Sequence, residues 1–325
     1  MADASVTRVV ARAAGGPEML EIEQVPATAP GKGEIVVRME AAGVAFSDVQ
    51  IRQGRFPIKL PAVPGFDMVG RIAAFGPEVT GLALGQRVAA VTMSGGYATE
   101  AVAQAKWAVP VPDGLDAAEV TALVLSYLTA WRMLHRAAKV PRGGSILVLG
   151  AAGGVGSALT ELAALEGIRV YGTASAHRRA TLEARGVTVV ADQSAVPELV
   201  DATFDSVGGP SLTASRRATK RSGVVAAYGM SFAIEADLSK ISGLTRAVLA
   251  LAKGKLLPGA KLVNFSFLAP KNDPAALRAD LAHLIDLLAR GELHPVVATL
   301  PLAEAAEAHR RLEAREVVGK LVLVP

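Results

Sequence analysis

The sequence predicts an α/β chain in which a doubly wound parallel sheet is joined to a β-rich, barrel-like domain. Up to about residue 114, β-forming residues cluster between frequent proline and glycine turns. From Asp116 onward, apolar residues first recur at helical spacing and then alternate between short apolar runs and helical segments, which is typical of βαβ units. At 145–158, an apolar run meets a glycine cluster and then an alanine-rich segment, the order of a strand, a tight turn and a helix.

The first part of the chain contains many short predicted strands. One short helix is predicted at 46–53, and a proline-rich passage follows at 57–64. Because short strands separated by glycine turns favour closed sheets, we expect a barrel-like domain here. The predicted strands are 6–12, 20–25, 34–44, 65–75, 86–93 and 102–111.

The second part alternates strands and helices. It opens with a predicted helix at 116–137, for which Asp116 is a suitable N-cap. Strands are predicted at 146–149, 169–173, 187–190, 203–207, 224–228 and 262–267, with helices at 157–166, 178–185 and 211–221. This order favours a parallel, doubly wound sheet. A helix at 274–290, a strand at 296–300, a helix at 303–314 and a strand at 320–324 complete the chain.

Composition excludes several functional classes. The 325 residues include no cysteine, so disulfides and thiolate chemistry are excluded and secretion has no support. No apolar run is long enough to span a bilayer, and residues 1–14 fit neither a signal nor a transit peptide. The densest basic run, 216–221, lacks interleaved aromatic residues and is interpreted as a solvated helix face rather than a nucleic-acid site. We expect a cytoplasmic protein.

The glycine cluster predicts a dinucleotide site. Gly153, Gly154 and Gly156 stand where a helix would begin, and the unpaired N–H groups of a helix N-terminus attract an anion such as a pyrophosphate. Ala151 replaces the first glycine of the usual fingerprint. The alternative is a glycine turn that serves packing alone.

The end of the next strand favours NADP(H) over NAD(H). No acidic residue follows 169–173, whereas Ser175, Arg178 and Arg179 do. A hydroxyl and guanidinium groups can hold a 2′-phosphate, which a carboxylate would repel. The alternative is that both arginines begin a solvated helix.

Metal and hydrolase chemistry have little support. The five histidines have no paired spacing, and each is interpreted as a surface or capping residue. Residues 229–233 lack the second glycine of a nucleophile elbow.

A set of motifs in order along the chain carries a family resemblance. They are AGVAFSD at 42–48 with RQG at 52–54, VPGFD at 63–67 with Gly70, GGYA at 95–98, SYLTA at 126–130, the glycine turn, DSVGG at 205–209 and VGKLV at 318–322. With these motifs the chain resembles the medium-chain dehydrogenase/reductase superfamily, in its zinc-free quinone oxidoreductase (zeta-crystallin-like) branch, near the vesicle amine transport protein group.

The resemblance implies a chaperonin-10-like catalytic domain formed by 1–118 and 269–325, a Rossmann domain at 119–268, and NADPH in the cleft. It implies that Gly153, Gly154 and Val155 meet the pyrophosphate, and that Ser175 with Arg178 or Arg179 holds the 2′-phosphate. The implied ribose, nicotinamide and cleft-closing residues are Thr129, Ser206, Val207, Tyr228, Gly229, Gly319 and Lys320.

The chain also departs from the family pattern. Zinc-dependent members carry a cysteine at the position of Ala45 and a histidine at that of Phe66, so no metal is expected. Quinone reductases often carry asparagine at the position of Ala45 and tyrosine at that of Gln50. Because this chain has neither side chain, the identity of the hydride acceptor stays open.

We therefore expect a zinc-independent, NADPH-dependent reductase of a quinone or of an activated C=C or C=O bond, working as a homodimer through the strand at 262–267. The candidate proton donors are Ser47, Tyr97 and Tyr127, although each also has a structural interpretation as a cap or as a packed side chain. The alternatives are a dedicated biosynthetic enoyl or keto reductase, and a nucleotide-binding or lipid-interacting protein without turnover.

Overall fold

The computed structural model describes residues 5–228, 259–266 and 273–325. The chain divides into two compact units. The first comprises Met1–Leu128 and Asp273–Pro325, and the second comprises Thr129–Asn272. The first unit therefore draws on two separate stretches of the chain.

The described strands are β1 (Ser5–Ala11), β2 (Leu20–Pro26), β3 (Glu34–Val44), β4 (Asp67–Phe75), β5 (Arg87–Val91), β6 (Glu100–Gln104), β7 (Ala108–Pro110), β8 (Ser145–Leu149), β9 (Arg169–Thr173), β10 (Thr188–Val190), β11 (Val200–Asp205), β12 (Thr219–Ala227), β13 (Lys261–Asn264), β14 (Val297–Pro301) and β15 (Lys320–Val324). The described α-helices are α1 (Phe46–Arg52), α2 (Ala117–Ala122), α3 (Leu128–Trp131), α4 (Gly154–Leu165), α5 (Arg179–Glu183), α6 (Ser211–Ala218), α7 (Pro274–Ala289) and α8 (Ala305–Glu313).

A seven-stranded sheet forms the centre of the first unit. Its strand order is β14-β15-β3-β4-β5-β7, and β6 also pairs with β3. In β3, Ile35, Val37 and Met39 enter one apolar cluster while Arg38 between them is exposed, as the two-residue period of a strand requires. The predicted β-rich domain is thus confirmed, with strands from both stretches of the chain in one sheet.

The second unit contains a parallel sheet in the order β10-β9-β8-β11-β12-β13. The chain enters at β8, moves outward to β10 and then returns to β11 on the other side of β8. This reversal makes the carboxyl ends of β8 and β11 a topological switch point, where open α/β sheets bind ligands. The predicted doubly wound class is confirmed.

The helical stretch from 117 to 138 differs from the single α-helix predicted at 116–137. Asp116 caps it as predicted, because its Oδ1 accepts from the N–H groups of Ala118 and Glu119 at 2.9 Å each. One π-helical segment, Leu123–Tyr127, interrupts the α-helix, and a second, Arg132–Ala138, ends the helical stretch. π-Helical turns occur often at functional sites, and Tyr127 lies in the first of these two.

Other differences are local. The strand predicted at 102–111 is divided into β6 and β7 by a 3₁₀ turn at Ala105–Trp107. Helix α4 begins at Gly154 rather than Ser157, and a 3₁₀ turn at Ala176–Arg178 precedes α5. Gly229 and Phe267 lie outside the described residues. Within the described part of the chain, no helix combines the length and apolarity needed to cross a membrane.

Candidate functional site

The glycine turn is fixed to the end of β9. The N–H of Gly150 donates to Thr173 Oγ1 at 3.1 Å, and the N–H of Ala151 donates to the Thr173 carbonyl at 3.0 Å. Gly150 has a φ of 71°, a conformation that favours glycine. These bonds place the turn at the carboxyl ends of β8 and β9, above the switch point of the sheet.

Two glycines of this turn have different structural requirements. A Cβ at Gly156 would lie 2.2 Å from the Gly150 carbonyl oxygen, so only glycine lets α4 approach the turn so closely. A Cβ at Gly153 would lie 3.5 Å from the same oxygen, an ordinary contact. No side chain caps the N-terminus of α4, which begins after Gly153. The fold itself therefore does not require glycine at 153.

The end of β11 carries a second group of predicted residues. Buried Asp205 shapes the loop, since its Oδ1 accepts from the N–H groups of Val207 and Gly208 at 2.9 Å each. Ser206 Oγ donates to the Leu149 carbonyl at 3.0 Å, and the N–H of Tyr228 donates to the Asp205 carbonyl at 3.0 Å. Burial raises the pKa of the Tyr228 hydroxyl. The structure thus brings Ser206, Val207 and Tyr228 together around Asp205, and Ser206 also contacts the end of β8, which leads into the glycine turn.

The residues predicted to select the cofactor follow β9, whose last residue holds the glycine turn. Ser175 is exposed, whereas Arg178 is only 9% exposed. The Arg179 guanidinium is exposed and donates to the Val189 carbonyl at 3.2 Å and to Glu183 at 3.4 Å. No carboxylate stands between Thr173 and Arg179.

In the first unit, a buried carboxylate joins three chain segments. Asp48, in the first turn of α1, accepts from the N–H of Ala45 at 2.7 Å and from the N–H of Gly65 at 2.8 Å. Its Oδ2 also lies 3.3 Å from the Tyr97 hydroxyl. Burial raises the pKa of Asp48 to about 7, although the two backbone hydrogen bonds oppose this shift.

Tyr97 also contacts a histidine that the sequence analysis placed at the surface. His309 Nε2 lies 3.1 Å from the Tyr97 hydroxyl, and both side chains are fully buried. The surface interpretation of His309 is therefore wrong. Its position four residues after buried Ala305 in α8 is the signal that could have revealed it, since residues at that spacing share a helix face.

A buried ion pair lies close to this group. Lys320 Nζ is 2.9 Å from Asp67 Oδ2, and both side chains are almost fully buried. A Cβ at Gly43 would lie 2.3 Å from Asp67 Oδ2 and 2.6 Å from Lys320 Nζ, so glycine leaves room for the pair. Burial raises the pKa of Asp67, and the Lys320 ammonium opposes this effect. Sequence reasoning missed the pair because nothing local links its two members.

A second buried cation completes the group. The Arg52 side chain is 1% exposed, and its Nη2 donates to Glu313 at 2.7 Å. Its Nε and Nη1 have no hydrogen-bond partner among the described residues. The Arg52 charge and burial both lower the pKa of His309, to about 3, with burial the larger cause.

The remaining predicted residues lie in different places. Ser47 is partly exposed in the first turn of α1, beside exposed Phe46. Tyr127 is 2% exposed, and Thr129 begins the second unit. Gly319 has a φ of 77°, and a Cβ there would meet the Val296 carbonyl oxygen at 2.1 Å. Tyr97 and Lys320 both belong to the buried group, whereas Ser47 is at its edge.

The donor set does not fit a zinc ion. Zinc is held by cysteine, histidine or carboxylate side chains, and the chain has no cysteine. Ala45 and Phe66 offer no ligand atom. In the described ranges, no three or more histidine or acidic side chains lie together as a metal-binding group.

Two family descriptions match the chain. The "Alcohol dehydrogenase GroES-like domain" matches residues 31–113, and "Zinc-binding dehydrogenase" matches residues 181–323. The first lies in the β-rich unit, and the second begins in the parallel-sheet unit.

Similar proteins cover nearly the whole chain. The human synaptic vesicle membrane protein VAT-1 homolog is 30% identical over 96% of this chain and 84% of its own length. A quinone oxidoreductase of Pseudomonas aeruginosa is 30% identical over 98% of this chain and 99% of its own. A 2-haloacrylate reductase of a Burkholderia species is 30% identical over 96% of both.

A solved structure supports the same relationship. The mycobacterial protein Rv1454c, solved in complex with NADPH, has a TM-score of 0.82 at 30% identity and covers 98% of this chain and 100% of its own. The fold and the switch-point turn define a protein of the medium-chain dehydrogenase/reductase superfamily, and the chain belongs to it. Within the superfamily it lies in the quinone oxidoreductase branch, near the VAT-1 homologs.

Proposed function

We propose that the chain is a zinc-independent, NADPH-dependent oxidoreductase that transfers hydride to a quinone or to an activated C=C or C=O bond. The observation that carries this proposal is the glycine turn at the switch point, where Gly153 is glycine although the fold does not require it. A backbone that must approach a ligand closely explains such a residue. The NADPH complex of a similar mycobacterial protein supports the identity of the cofactor.

The proposal assigns roles to the residues at the carboxyl ends of the parallel strands. Gly153, Gly154 and Val155 bind the pyrophosphate through backbone N–H groups. Ser175 and Arg178 or Arg179 bind the 2′-phosphate. Along the ribose and nicotinamide we propose Thr129, Ser206, Val207, Tyr228 and Gly229, and for closure over the cofactor Gly319 and Lys320. The bound NADPH supplies the hydride.

An activated acceptor is compatible with hydride transfer that does not use zinc. Quinones and conjugated enones give delocalised product anions, so binding them in contact with the nicotinamide can suffice. An unactivated ketone would need a placed proton donor or Lewis acid. The residues Ala45 and Phe66 support an acceptor of the activated kind, because neither can bind a metal.

The test follows NADPH oxidation with a panel of quinones, enones, acrylates and simple ketones, using NADPH deuterated at the transferring C4 position. We expect the label on a β-carbon of an enone or acrylate, or loss of NADPH with a quinone, and no turnover of simple ketones. Turnover of simple ketones alone would instead favour a dedicated keto reductase. The variant Gly153→Ala serves as the control for reactions outside the cofactor site.

The second candidate is a nucleotide-binding protein without turnover. It is favoured by the burial of both Tyr97 and Tyr127, which leaves partly exposed Ser47 as the accessible hydroxyl among the three proposed donors. Tight NADPH binding with no labelled product across the panel would select this candidate. Turnover of one enoyl substrate that is not in the panel would instead identify a dedicated biosynthetic enoyl reductase.

Cofactor selectivity gives a direct prediction. Ser175→Asp places a carboxylate at the end of β9, where the proposed 2′-phosphate binds, so we expect at least about tenfold weaker NADPH binding. NADH binding should stay within about twofold because it carries no such phosphate. Fluorescence titration of both cofactors measures the effect, and Ser222→Asp, at an exposed position of β12, is the matched control. Equal losses for NADPH and NADH would contradict the assignment.

We also propose that the enzyme is a cytoplasmic homodimer. Among the described strands, β13 lies at one edge of the parallel sheet, and a sheet edge favours pairing with a second chain. Light scattering should give twice the chain mass of 33.4 kDa. A monomer at all concentrations would contradict the dimer.

A further inference from the structure

Asp48 links the start of α1 to two other segments of the first unit. The N–H of Ala45 precedes the helix, and the N–H of Gly65 precedes β4, yet one carboxylate accepts from both. The Tyr97 hydroxyl reaches the oxygen that Ala45 also uses, Asp48 Oδ2. The position of the first turn of α1, and of Ser47 within it, therefore depends on this carboxylate.

The Tyr97 side chain is enclosed within the first unit and does not reach its surface. Its side chain is 0% exposed and belongs to the apolar cluster that contains Val37 and Met68. Its hydroxyl lies between Asp48 and His309, at 3.3 and 3.1 Å. A side chain enclosed in this way does not touch an acceptor, so its influence passes through Asp48.

The donors and acceptors of this group allow two hydrogen-bond arrangements. Burial raises the pKa of Tyr97 well above its ordinary value, and burial with Arg52 keeps His309 neutral, so both hold one exchangeable proton. With Asp48 ionised, Tyr97 donates to Oδ2, and the Nε2–H tautomer of His309 donates to the Tyr97 oxygen. With Asp48 protonated on Oδ2, the carboxyl donates to the Tyr97 oxygen, and Tyr97 donates to Nε2 of the other His309 tautomer. The two arrangements differ by the one proton on Asp48.

Protonation weakens the attachment of α1. The oxygen that becomes the donor to Tyr97 is the one that accepts from the Ala45 N–H. A neutral carboxyl is a weaker acceptor than a carboxylate, and charge-assisted hydrogen bonds are about twice as strong as neutral ones. The first turn of α1 is therefore held more firmly when Asp48 is ionised.

We propose that Asp48, Tyr97 and His309 form a positioning network that holds the Ser47 turn of α1, and that its change of hydrogen-bond arrangement sets the loss of activity at low pH. This inference rests on the proposed reductase function. Among the described residues, the other charged and titratable groups around the network are Asp67 on β4 and Lys320 on β15, beside Asp48 and Tyr97, and Arg52 on α1, beside Tyr97 and His309. Of the three network residues, Asp48 is the one whose pKa, about 7, lies near neutrality.

The test compares pH profiles of kcat/KM from about pH 5 to 9. The wild type should lose activity below about pH 7. Tyr97→Phe keeps the ring but removes a hydrogen bond to the carboxylate, so its loss should begin about one pH unit higher. Asp48→Asn should be less active throughout, without this pH-dependent loss. Tyr171→Phe, which loses a hydroxyl bonded to Glu198 in the second unit, should follow the wild type.

KM for NADPH should stay unchanged in Tyr97→Phe and Asp48→Asn, because neither residue is among those proposed to bind the cofactor. Profiles of Tyr97→Phe and Asp48→Asn that superimpose on the wild type would overturn the proposal.

Amide hydrogen exchange, measured by NMR without cofactor, separates this inference from the proposed function. Asparagine has one acceptor oxygen where Asp48 uses two, so Asp48→Asn should speed exchange at Ala45 or Gly65 about tenfold. Tyr171→Phe should leave both amides unchanged. If the wild type turns over no acceptor, the proposed reductase function is wrong. If Asp48→Asn leaves amide exchange at Ala45 and Gly65 unchanged, the positioning network is wrong as well.

Discussion

Lys320→Met is expected to lower the free energy of unfolding by about 3–5 kcal/mol, because it leaves the Asp67 carboxylate buried without its counter-charge. Asp67 is fully buried, and neither of its oxygens has another hydrogen-bond partner in the described part of the chain. Urea unfolding of the cofactor-free protein at neutral pH measures the loss.

The double variant Asp67→Asn with Lys320→Met separates charge from packing. It removes both charges, so we expect it to recover at least half of the lost stability. Arg290→Met is the matched control, because the exposed pair Arg290–Glu292 should contribute less than about 1 kcal/mol. A double variant no more stable than Lys320→Met would show that packing, rather than an uncompensated charge, causes the loss.

Gly153→Ala is expected to weaken NADPH binding with little loss of stability, whereas Gly156→Ala is expected to destabilise the fold. At Gly156 the new methyl group would lie 2.2 Å from a carbonyl oxygen of the turn, so α4 must move and stability should fall by about 2–4 kcal/mol. At Gly153 the φ of −76° suits alanine, and the nearest atom is 3.5 Å away. The cost there should stay below about 1 kcal/mol.

NADPH affinity distinguishes the two roles. Gly153→Ala should weaken NADPH binding at least about tenfold while the melting temperature stays almost constant, because the methyl group occupies the approach of the pyrophosphate. Thermal unfolding with and without NADPH measures both properties in one experiment. Unchanged NADPH affinity in a stable Gly153→Ala protein would argue against a dinucleotide at this turn.

Local signals in the sequence predicted much of the fold. The sequence predicts Asp116 as an N-cap because it directly precedes an apolar repeat with helical spacing. In that position its carboxylate can accept from the backbone N–H groups two and three residues further on, as it does here. The run from β8 through the turn to α4 was recognisable because strand, glycine and helix signals follow each other directly. The strand signals also place Ser206 and Tyr228 near the carboxyl ends of their predicted strands. The carboxyl ends of parallel strands lie along the same edge of a sheet.

The buried charges could not be predicted in this way. Arg52 and Glu313, or Asp67 and Lys320, are far apart in sequence, and each alone looks like an exposed residue. His309 is followed directly by Arg310 and Arg311 and lies among charged neighbours in the sequence, which concealed its buried side. The π-helical segments also lack a local signal, because the apolar spacing around Tyr127 suits an ordinary α-helix.

The pairing of β15 with β3 has a consequence for biosynthesis. Residues 42–44 of β3 pair with Leu321–Leu323. The backbone N–H and C=O groups of β3 that face β15 therefore stay unpaired until residues 321–323 have been synthesised. At 5–20 residues per second, this interval lasts roughly 15–55 s. The β-rich unit therefore completes its sheet only after residues 321–323 have been synthesised, and until then this apolar sheet edge is exposed to binding by chaperones.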